Sequence, residues 1–247
     1  MQATVEIEFR TFKEMEFPGG TVIEAIPSVG LVSTIAATYL ITNLKVDQIV
    51  ALDSEDFPSL SMVYAYKPKF PVRIYAHPPS KLTIFIAEVP LPQRVHRALA
   101  LSLLKWARTH RCRQIVALEG IPVSVDEVVN PVGVWGVGST DHARASLDEA
   151  GIPQLETGVI SGVAGVILNE ARWQDYDAIS LLAEARPNIP DAYAAARLLE
   201  AVDQLLPEIK VDLEPLKEQA KALEAQLSKL RHAAKPAISE PEPGMFR

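Results

Sequence analysis

Acidic side chains follow several apolar runs of the sequence, at the points where β-strands are predicted to end. Glu88, Glu119 and Glu184 each stand at the carboxyl end of such a run. In open α/β sheets ligands bind at that edge, and clustered carboxylates can hold a hard cation or act as general acid and base. The pattern offers one hypothesis, an enzyme or a protein that binds a small molecule or nucleotide. The opposing interpretation is that strand ends meet solvent, where acidic residues are common.

Recognisable catalytic signatures are missing from the sequence. It contains no GxSxG or HExxH motif, and its single cysteine, Cys112, precedes a predicted strand without a positioned histidine. Residues 27–30 lack the lysine of a P-loop, and residues 158–165 follow the pattern GxxxGxxG instead of GxGxxG. We interpret both segments as close-packing turns. The sequence therefore predicts no catalytic residue, no metal site and no cofactor.

A body of alternating strands and helices must position these residues. Continuous apolar runs predict strands that are buried on both faces of a sheet. Asp141 and Asp191 are predicted N-caps of two helices. Strands that alternate with helices imply right-handed crossovers and a mostly parallel, three-layer α/β sheet. The predicted strands are residues 4–9, 21–27, 47–52, 72–76, 82–88, 114–119, 134–138 and 178–183, and the predicted helices are residues 29–43, 93–110, 141–150, 164–172 and 191–205.

Composition excludes several classes of protein. The 247 residues are 48% hydrophobic and 22% charged, which is typical of a globular protein. The formal net charge of -7 argues against nucleic-acid binding, which draws on basic patches. A single cysteine excludes an internal disulfide. No uncharged apolar run reaches the roughly 18 residues of a membrane span, and the N-terminus lacks the regions of a signal peptide, so we predict a cytoplasmic protein.

The C-terminal part of the chain changes character. Apolar residues recur at alternating spacings of 4 and 3 from Ile209 to Ala234, which is a heptad seam, and Asp212 is placed to cap its helix. The helix could fold back on its own body. The seam is narrow and flanked by Lys, Glu and Gln, however, which favours pairing of helices within or between subunits. We divide the chain into a body of residues 1–206, a C-terminal helix of residues 207–234 and a tail of residues 235–247. The predicted pairing residues are Leu216, Leu223, Leu227 and Leu230.

The tail itself ends in two large apolar side chains. Residues 235–247 hold three prolines and a glycine, which predicts an extended, flexible tether. Met245 and Phe246 are out of place in such a segment, because disorder favours polar residues. The carboxylate of Arg247 is a handle that a basic side chain or a backbone nest can capture. We interpret the ending as a plug that docks in a partner's pocket; the alternative is a frayed end without function.

Short motifs spread through the body, in a shared order, carry a family likeness. They are residues 27–32, 39–41, 118–122, 151–152, 158–165, 181–184 and 190–195. Over about residues 20–206 they resemble the PAC2 family of proteasome-assembly chaperone homologues. The resemblance implies an α/β fold like that of purine nucleoside phosphorylases, without their enzymatic activity. It also implies a homo-oligomer.

The same resemblance implies a docking role for the chain terminus. Archaeal members of the family carry a hydrophobic–Tyr–any tripeptide that inserts between α subunits of the 20S proteasome. Met245, Phe246 and Arg247 are similar to that tripeptide, with Phe in place of Tyr. The missing hydroxyl removes any hydrogen bond that Tyr makes, typically worth about 1 kcal/mol. The prediction is a non-enzymatic, homo-oligomeric chaperone or adaptor that docks on 20S α subunits; the alternative is the ligand-binding enzyme with acidic strand ends.

Overall fold

The computed structural model describes residues 5–123 and 132–218. In this part of the chain ten strands and five α-helices, with the start of a further helix at residues 214–218, form a mixed α/β fold. The strands are β1 (Glu8–Thr11), β2 (Thr21–Ala25), β3 (Asp47–Asp53), β4 (Met62–Tyr64), β5 (Lys67–Lys69), β6 (Val72–His77), β7 (Leu82–Ala87), β8 (Gln114–Pro122), β9 (Val134–Gly138) and β10 (Asp177–Ala185). The helices are α1 (Val32–Asn43), α2 (Gln93–Thr109), α3 (Asp141–Glu149), α4 (Gly162–Trp173) and α5 (Ala192–Leu205). None of these helices is long and apolar enough to cross a membrane.

Eight of the strands form one mixed sheet in the order β1-β3-β6-β7-β2-β8-β10-β9. The centre of the sheet, β7-β2-β8-β10, is parallel, whereas every other neighbouring pair is antiparallel. The expectation of a mostly parallel sheet was therefore wrong. The reason is that β6 and β7 are joined by the short 3₁₀ turn Pro78–Ser80, and a parallel connection needs a crossover of a dozen or more residues.

Helices cover both faces of the sheet, as the three-layer prediction requires. One core cluster combines Ile23 of β2 with buried residues of α1, α3 and α5. The other combines Val22 of β2 with buried residues of α2 and α4. Adjacent residues of one strand thus enter opposite cores, because side chains alternate across a sheet. Central strands covered on both faces read as continuous apolar runs, which is how the sequence revealed them.

The starts of helix α1 and of the first strand both depart from prediction. Residues 29–31 form a 3₁₀ turn instead of the first turn of a helix, because Gly30 has a φ of 65° and Leu31 a φ of 51°. Helix α1 therefore starts at Val32. The first strand lies at β1, two to four residues later than the predicted 4–9.

The helix caps were predicted with mixed success. Thr140, not Asp141, caps α3: its hydroxyl oxygen accepts a hydrogen bond from the N–H of Ala143 at 3.0 Å. Asp141 is instead the first helical residue, where a carboxylate favours the positive end of the helix dipole. The predicted cap Asp191 is confirmed, since its carboxylate accepts from the N–H of Ala194 at 3.1 Å.

Asp191 also forms a buried ion pair with Arg186. The guanidinium donates to both carboxylate oxygens, at 2.8 and 3.0 Å, and both side chains are largely buried. Burial opposes ionisation of Asp191, but Arg186 and the backbone N–H donors outweigh it and lower the pKa of this carboxyl. The N–H of Asp191 donates to the carbonyl of Gly30 at 2.8 Å, which ties the end of β10 and the start of α5 to the turn after β2.

We expect Asp191→Ala to lower the free energy of unfolding by about 3–5 kcal/mol, because it removes the buried carboxylate that neutralises Arg186. Since the pKa of Asp191 is lowered in the folded protein, its contribution is present above the unfolded pKa of about 3.9 and is lost as pH falls below it. The difference between wild type and variant should therefore shrink on going from pH 7 to pH 3 in urea unfolding. Asp203→Ala, an exposed change on α5, should stay within about 0.5 kcal/mol of wild type. A loss independent of pH would contradict the ion-pair argument.

Candidate functional site

A cavity of about 330 Å³ opens at the carboxyl ends of the parallel strands. Glu119 and Leu182, which pair across β8 and β10, form part of its lining together with Ile26 just after β2. His96 of α2 and Ser161, the residue before α4, line it from the helical layer above. The connection after β2 passes to one face of the sheet and α2 lies on the other, so a crevice is left where the strand connections diverge.

The turn after β2 forms one wall of the cavity through tight backbone packing. The Ser28 hydroxyl oxygen accepts from the N–H of Gly120 at 3.0 Å and lies 2.9 Å from the hydroxyl of Ser33. A Cβ at Gly120 would lie 2.2 Å from the carbonyl oxygen of Val29, so no larger residue fits there. The interpretation of residues 27–30 as a close-packing turn is confirmed.

Two further sequence candidates have structural roles. In the glycine-containing segment 158–165, a Cβ at Gly165 would lie 2.3 Å from the carbonyl oxygen of Ile160, so the small residue permits a close approach. Cys112 is buried, and burial raises the pKa of its thiol to about 12. A thiol that stays protonated at neutral pH is a poor nucleophile. Among the residues that the structure describes, no group of three or more His, Cys, Asp or Glu side chains could hold a metal ion.

Two carboxyl groups lie close together beneath the cavity. Glu24 of β2 is fully buried, and Glu119 of β8 lines the cavity above it on the same face of the sheet. Burial and the neighbouring Glu119 raise the pKa of Glu24. The backbone N–H of Ile26 is near enough to oppose this slightly, but it forms no proper hydrogen bond with either carboxyl oxygen. Burial raises the pKa of Glu119 to about 8. Near neutral pH the pair therefore carries protons that ordinary glutamates release.

The other two predicted strand-end acids are bound by groups of the protein. Glu88 forms an ion pair with the buried Arg73 and accepts from the hydroxyl of Tyr64 at 2.6 Å. Glu184 accepts from the N–H of Gly133 at 3.0 Å. Of the three acids, only Glu119 lines the cavity. The three acids predicted to lie together are thus separated: one lines the cavity, and the other two have structural partners.

Sequence reasoning missed Glu24 and Arg73, which both interrupt apolar strands. Each was absorbed into a run, TVIEAIP or VRIYA, that was interpreted only as a buried strand. The signal was present, because a charged residue in the middle of a doubly covered strand is rarely buried without a partner or a function. Arg73 has its partner in Glu88, whereas Glu24 has none among the described residues.

The C-terminal segment leaves the body along α1 and α5. Residues 207–213 are not helical, and the helix begins at residue 214, so the predicted helical start at 207 is corrected. Ile209 and Leu216 are each 3% exposed and belong to the core beside α1 and α5. The hydroxyl of Tyr39 donates to the carbonyl of Asp212 at 2.7 Å, and Lys217 pairs with Glu200 at 2.8 Å. The first seam residues therefore pack on their own chain.

The described residues test only the start of the seam. The N-cap position is Leu213, one residue after the predicted Asp212, since the carbonyl of Leu213 accepts from the N–H of Lys217 at 3.1 Å. The carboxylate of Asp212 still accepts from the N–H of Glu214 at 3.0 Å, just before the helix. Leu216 is accounted for by the core of its own chain, so helix pairing stays a prediction for the later leucines. Six of the residues predicted to pair or dock lie outside the described part of the chain: Leu223, Leu227, Leu230, Met245, Phe246 and Arg247.

Comparison with known proteins adds the family. The model of the PAC2 family matches residues 22–231. The chain belongs to the PAC2 family. Its relative MJ0106, an uncharacterized protein of Methanocaldococcus jannaschii, is 27% identical over 217 residues, covering 88% of this chain and 87% of the relative.

Solved structures of this family have the same fold. Pyrococcus furiosus PbaA, an archaeal homolog of proteasome-assembly chaperone, is 28% identical and superposes with a TM-score of 0.82, covering 94% of each chain. PbaB of the same organism, an archaeal proteasome activator, is 24% identical with a TM-score of 0.78, covering 92% of this chain and 99% of PbaB. The likeness to PbaB concerns the fold.

We expect Glu24→Gln to stabilise the protein at neutral pH, because the folded chain must hold a proton that the unfolded chain releases. Since the pKa of Glu24 is raised well above 4.5 in the folded protein, the stability of the wild type should fall as pH rises above about 4.5. The gain should vanish near pH 4.5, and urea unfolding at several pH values measures it. Glu149→Gln, an exposed change on α3, serves as the control. A gain of equal size at all pH values would contradict this account.

We expect Tyr39→Phe to loosen the C-terminal segment, because it removes the hydrogen bond to the carbonyl of Asp212, worth about 1 kcal/mol. Hydrogen exchange of the amides of Ile209 and Lys217 should become about fivefold faster, while exchange in the sheet stays unchanged. Thr38→Ser, at an exposed neighbouring position, should have no effect. Unaltered exchange in the Phe variant would mean that packing alone holds the segment.

Proposed function

We propose that the protein is a non-enzymatic proteasome-assembly chaperone or adaptor. In this proposal it forms a homo-oligomer and docks on the α subunits of the 20S proteasome. The docking element is the chain terminus, Met245, Phe246 and Arg247. The alternative function, an enzyme that uses acidic strand ends, ranks second because Glu88 and Glu184 are bound by other groups of the protein.

Membership of the PAC2 family is the observation that carries the proposal. The match covers residues 22–231, which includes most of the body and most of the heptad seam. The relative PbaA, described as a homolog of proteasome-assembly chaperone, shares the fold over 94% of both chains. Fold alone does not define function. The second support is therefore the sequence of the terminus, which places an apolar residue, an aromatic residue and a free carboxylate at the end of a long polar tail.

The anchored start of the C-terminal segment supports a docking role for the residues that follow. Tyr39, Lys217 and the buried Leu216 fix the chain on the α1 and α5 face up to residue 218. Residues 219–247 thus depart from a defined point on the body. In an oligomer, several termini would be presented together, and multivalent attachment can strengthen binding about 10²–10⁴-fold over one terminus. A weak tripeptide can then serve as a docking device.

The proposal predicts that attachment depends on the last three residues. Immobilised 20S particles or free α subunits should retain the full-length protein, whereas residues 1–244 should bind at least about tenfold more weakly, as expected for loss of an aromatic anchor. A short polar extension after Arg247 should have the same effect, because it displaces the free carboxylate. Phe246→Tyr should strengthen binding up to about fivefold by restoring a hydroxyl.

Ser239→Ala, also in the tail, is the matched control and should bind like wild type. Equal binding by the full-length and 1–244 proteins would remove the terminus from the mechanism. Failure of every form to bind, with the oligomeric mass unchanged, would remove the proteasome as partner.

A further inference from the structure

Two buried polar side chains without hydrogen-bond partners in the described part of the chain, those of Glu24 and Ser180, lie in one row across the centre of the sheet beneath the cavity. In register, Phe85, Glu24, Ala117 and Ser180 lie side by side on β7, β2, β8 and β10. Both carboxyl oxygens of Glu24 and the hydroxyl of Ser180 are buried without a hydrogen-bond partner among the described residues. The small side chain of Ala117 separates them. Buried polar groups are normally satisfied, so this row, one step below the cavity lining, requires an explanation.

The next row along the strands forms the lining itself. Glu119 stands two residues after Ala117 on β8, so both side chains project to the same face. Glu119 makes no hydrogen bond or ion pair with the described residues, although it is largely withdrawn from solvent. Its neighbours in the lining, Ile26 and Leu182, are apolar. A polar group in an apolar cavity is the usual pattern of a small-molecule site.

The hydrogen-bond donors of Ser28 and Ser33, beside the cavity, are already used. The hydroxyl of Ser33 donates to the carbonyl of Ile26, so the hydroxyl of Ser28 must donate to Ser33. The Nε2 of His96 lies 3.1 Å from the carbonyl of Leu91, which can only accept, so in the neutral ring Nδ1 is left as an acceptor. Once Glu119 is ionised, it presents acceptors to the cavity together with Ser28 and His96, while the hydroxyl of Ser161 can donate or accept. These side chains match a ligand rich in donors.

The charges around the cavity point the same way. No Lys or Arg is among the described residues that line it. The groups that face the carboxyl pair are His96 from α2, Ser161 and Val163 at the start of α4, Phe85 from β7 and Ser180 and Leu182 from β10. Among these, His96 is the single titratable side chain. Apart from the partial positive charge at the first turn of α4, no side chain of the described lining supplies the counter-charge that two buried carboxylates would need.

We propose that this cavity binds a small organic cation, a primary ammonium or a guanidinium with an apolar body, through the carboxylate of Glu119 with Glu24 beneath it. The apolar body contacts Ile26, Leu182 and the wall from Leu155 to Val163. The cationic head donates to Glu119 and supplies the missing positive charge. This site is separate from the C-terminal segment, which packs in the core on the opposite face of the sheet.

Binding should expel a proton, because a cation stabilises the ionised carboxylate. The carboxyl of Glu119, with a pKa of about 8, is mostly protonated at pH 7 in the free protein. Cation binding at this pH should therefore release about one proton per ligand. This readout distinguishes a buried acid from the exposed acidic residues of the surface, which are already ionised.

The test uses the full-length protein and four probes that share one apolar chain. Calorimetric titration at pH 7, in phosphate and in HEPES, compares butylamine and butylguanidine with 1-butanol and butyrate. We expect the two cations to bind at least about tenfold more tightly than the alcohol or the acid, with buffer-dependent heats that report proton release. The first turn of α4 also faces the cavity and would favour an anion. Preferred binding of butyrate, or equal binding of all probes, would therefore overturn the proposal.

Variants locate the site. Glu119→Gln should weaken cation binding roughly tenfold or more and abolish the proton release, whereas Glu149→Gln on the exposed face of α3 should change neither. Val159→Arg tests the site without touching the core, since Val159 is 93% exposed at the mouth of the cavity. Its guanidinium should repel the cations and leave butanol unaffected. Cation binding that survives both substitutions, or the absence of binding by any probe, would refute the assignment.

Discussion

The buried ion pair between Arg186 and Asp191 is the interaction on which the geometry of the rest depends. The carboxylate of Asp191 neutralises the guanidinium and caps α5, and the backbone N–H of the same residue donates to the carbonyl of Gly30. The turn after β2, the end of β10 and the start of α5 are thereby fixed to one another. The turn after β2 forms one wall of the cavity. Helix α5 forms part of the surface on which the C-terminal segment packs. A charge pair of this kind gives specificity of position more than net stability.

The carboxyl pair of Glu24 and Glu119 works against stability. A fully buried glutamate beside a second one must stay protonated to avoid two unneutralised charges in the core. A hydrocarbon side chain at position 24 would satisfy the packing of β2 without this cost. The pair thus contrasts with Arg73 and Glu88 nearby, where a buried charge has its partner. Functional sites are where such departures from the rules of a stable core are expected.

Two surfaces with different chemistry share this body. The cavity opens at the carboxyl edge of the sheet, under α2 and α4. The C-terminal segment packs in the other core, beside α1 and α5, and continues into the chain terminus. Since the same sheet separates them, contacts at one surface do not occupy the other. A docking protein of the proteasome system with a ligand site in its body is physically consistent, and each property can be examined without the other.

The sequence by itself determined the α/β class, the helices and central strands, and the cap at Asp191, because apolar periodicity and capping are local properties of the chain. The family likeness came from a different source, the short motifs that this chain shares in order with the PAC2 family. The sequence also named Glu119, together with Glu88 and Glu184, as an acid at a predicted strand end, although β8 runs on to Pro122. Only the tertiary structure decided that Glu88 and Glu184 have partners of their own, that Glu24 lies beneath Glu119, and that β6 and β7 form an antiparallel pair. The physical reason is that strand register and strand order, which bring residues 95 positions apart onto one face, are set by packing between distant segments. Heptad spacing likewise could not show that Leu216 packs on its own chain, since the same apolar stripe fits any apolar surface.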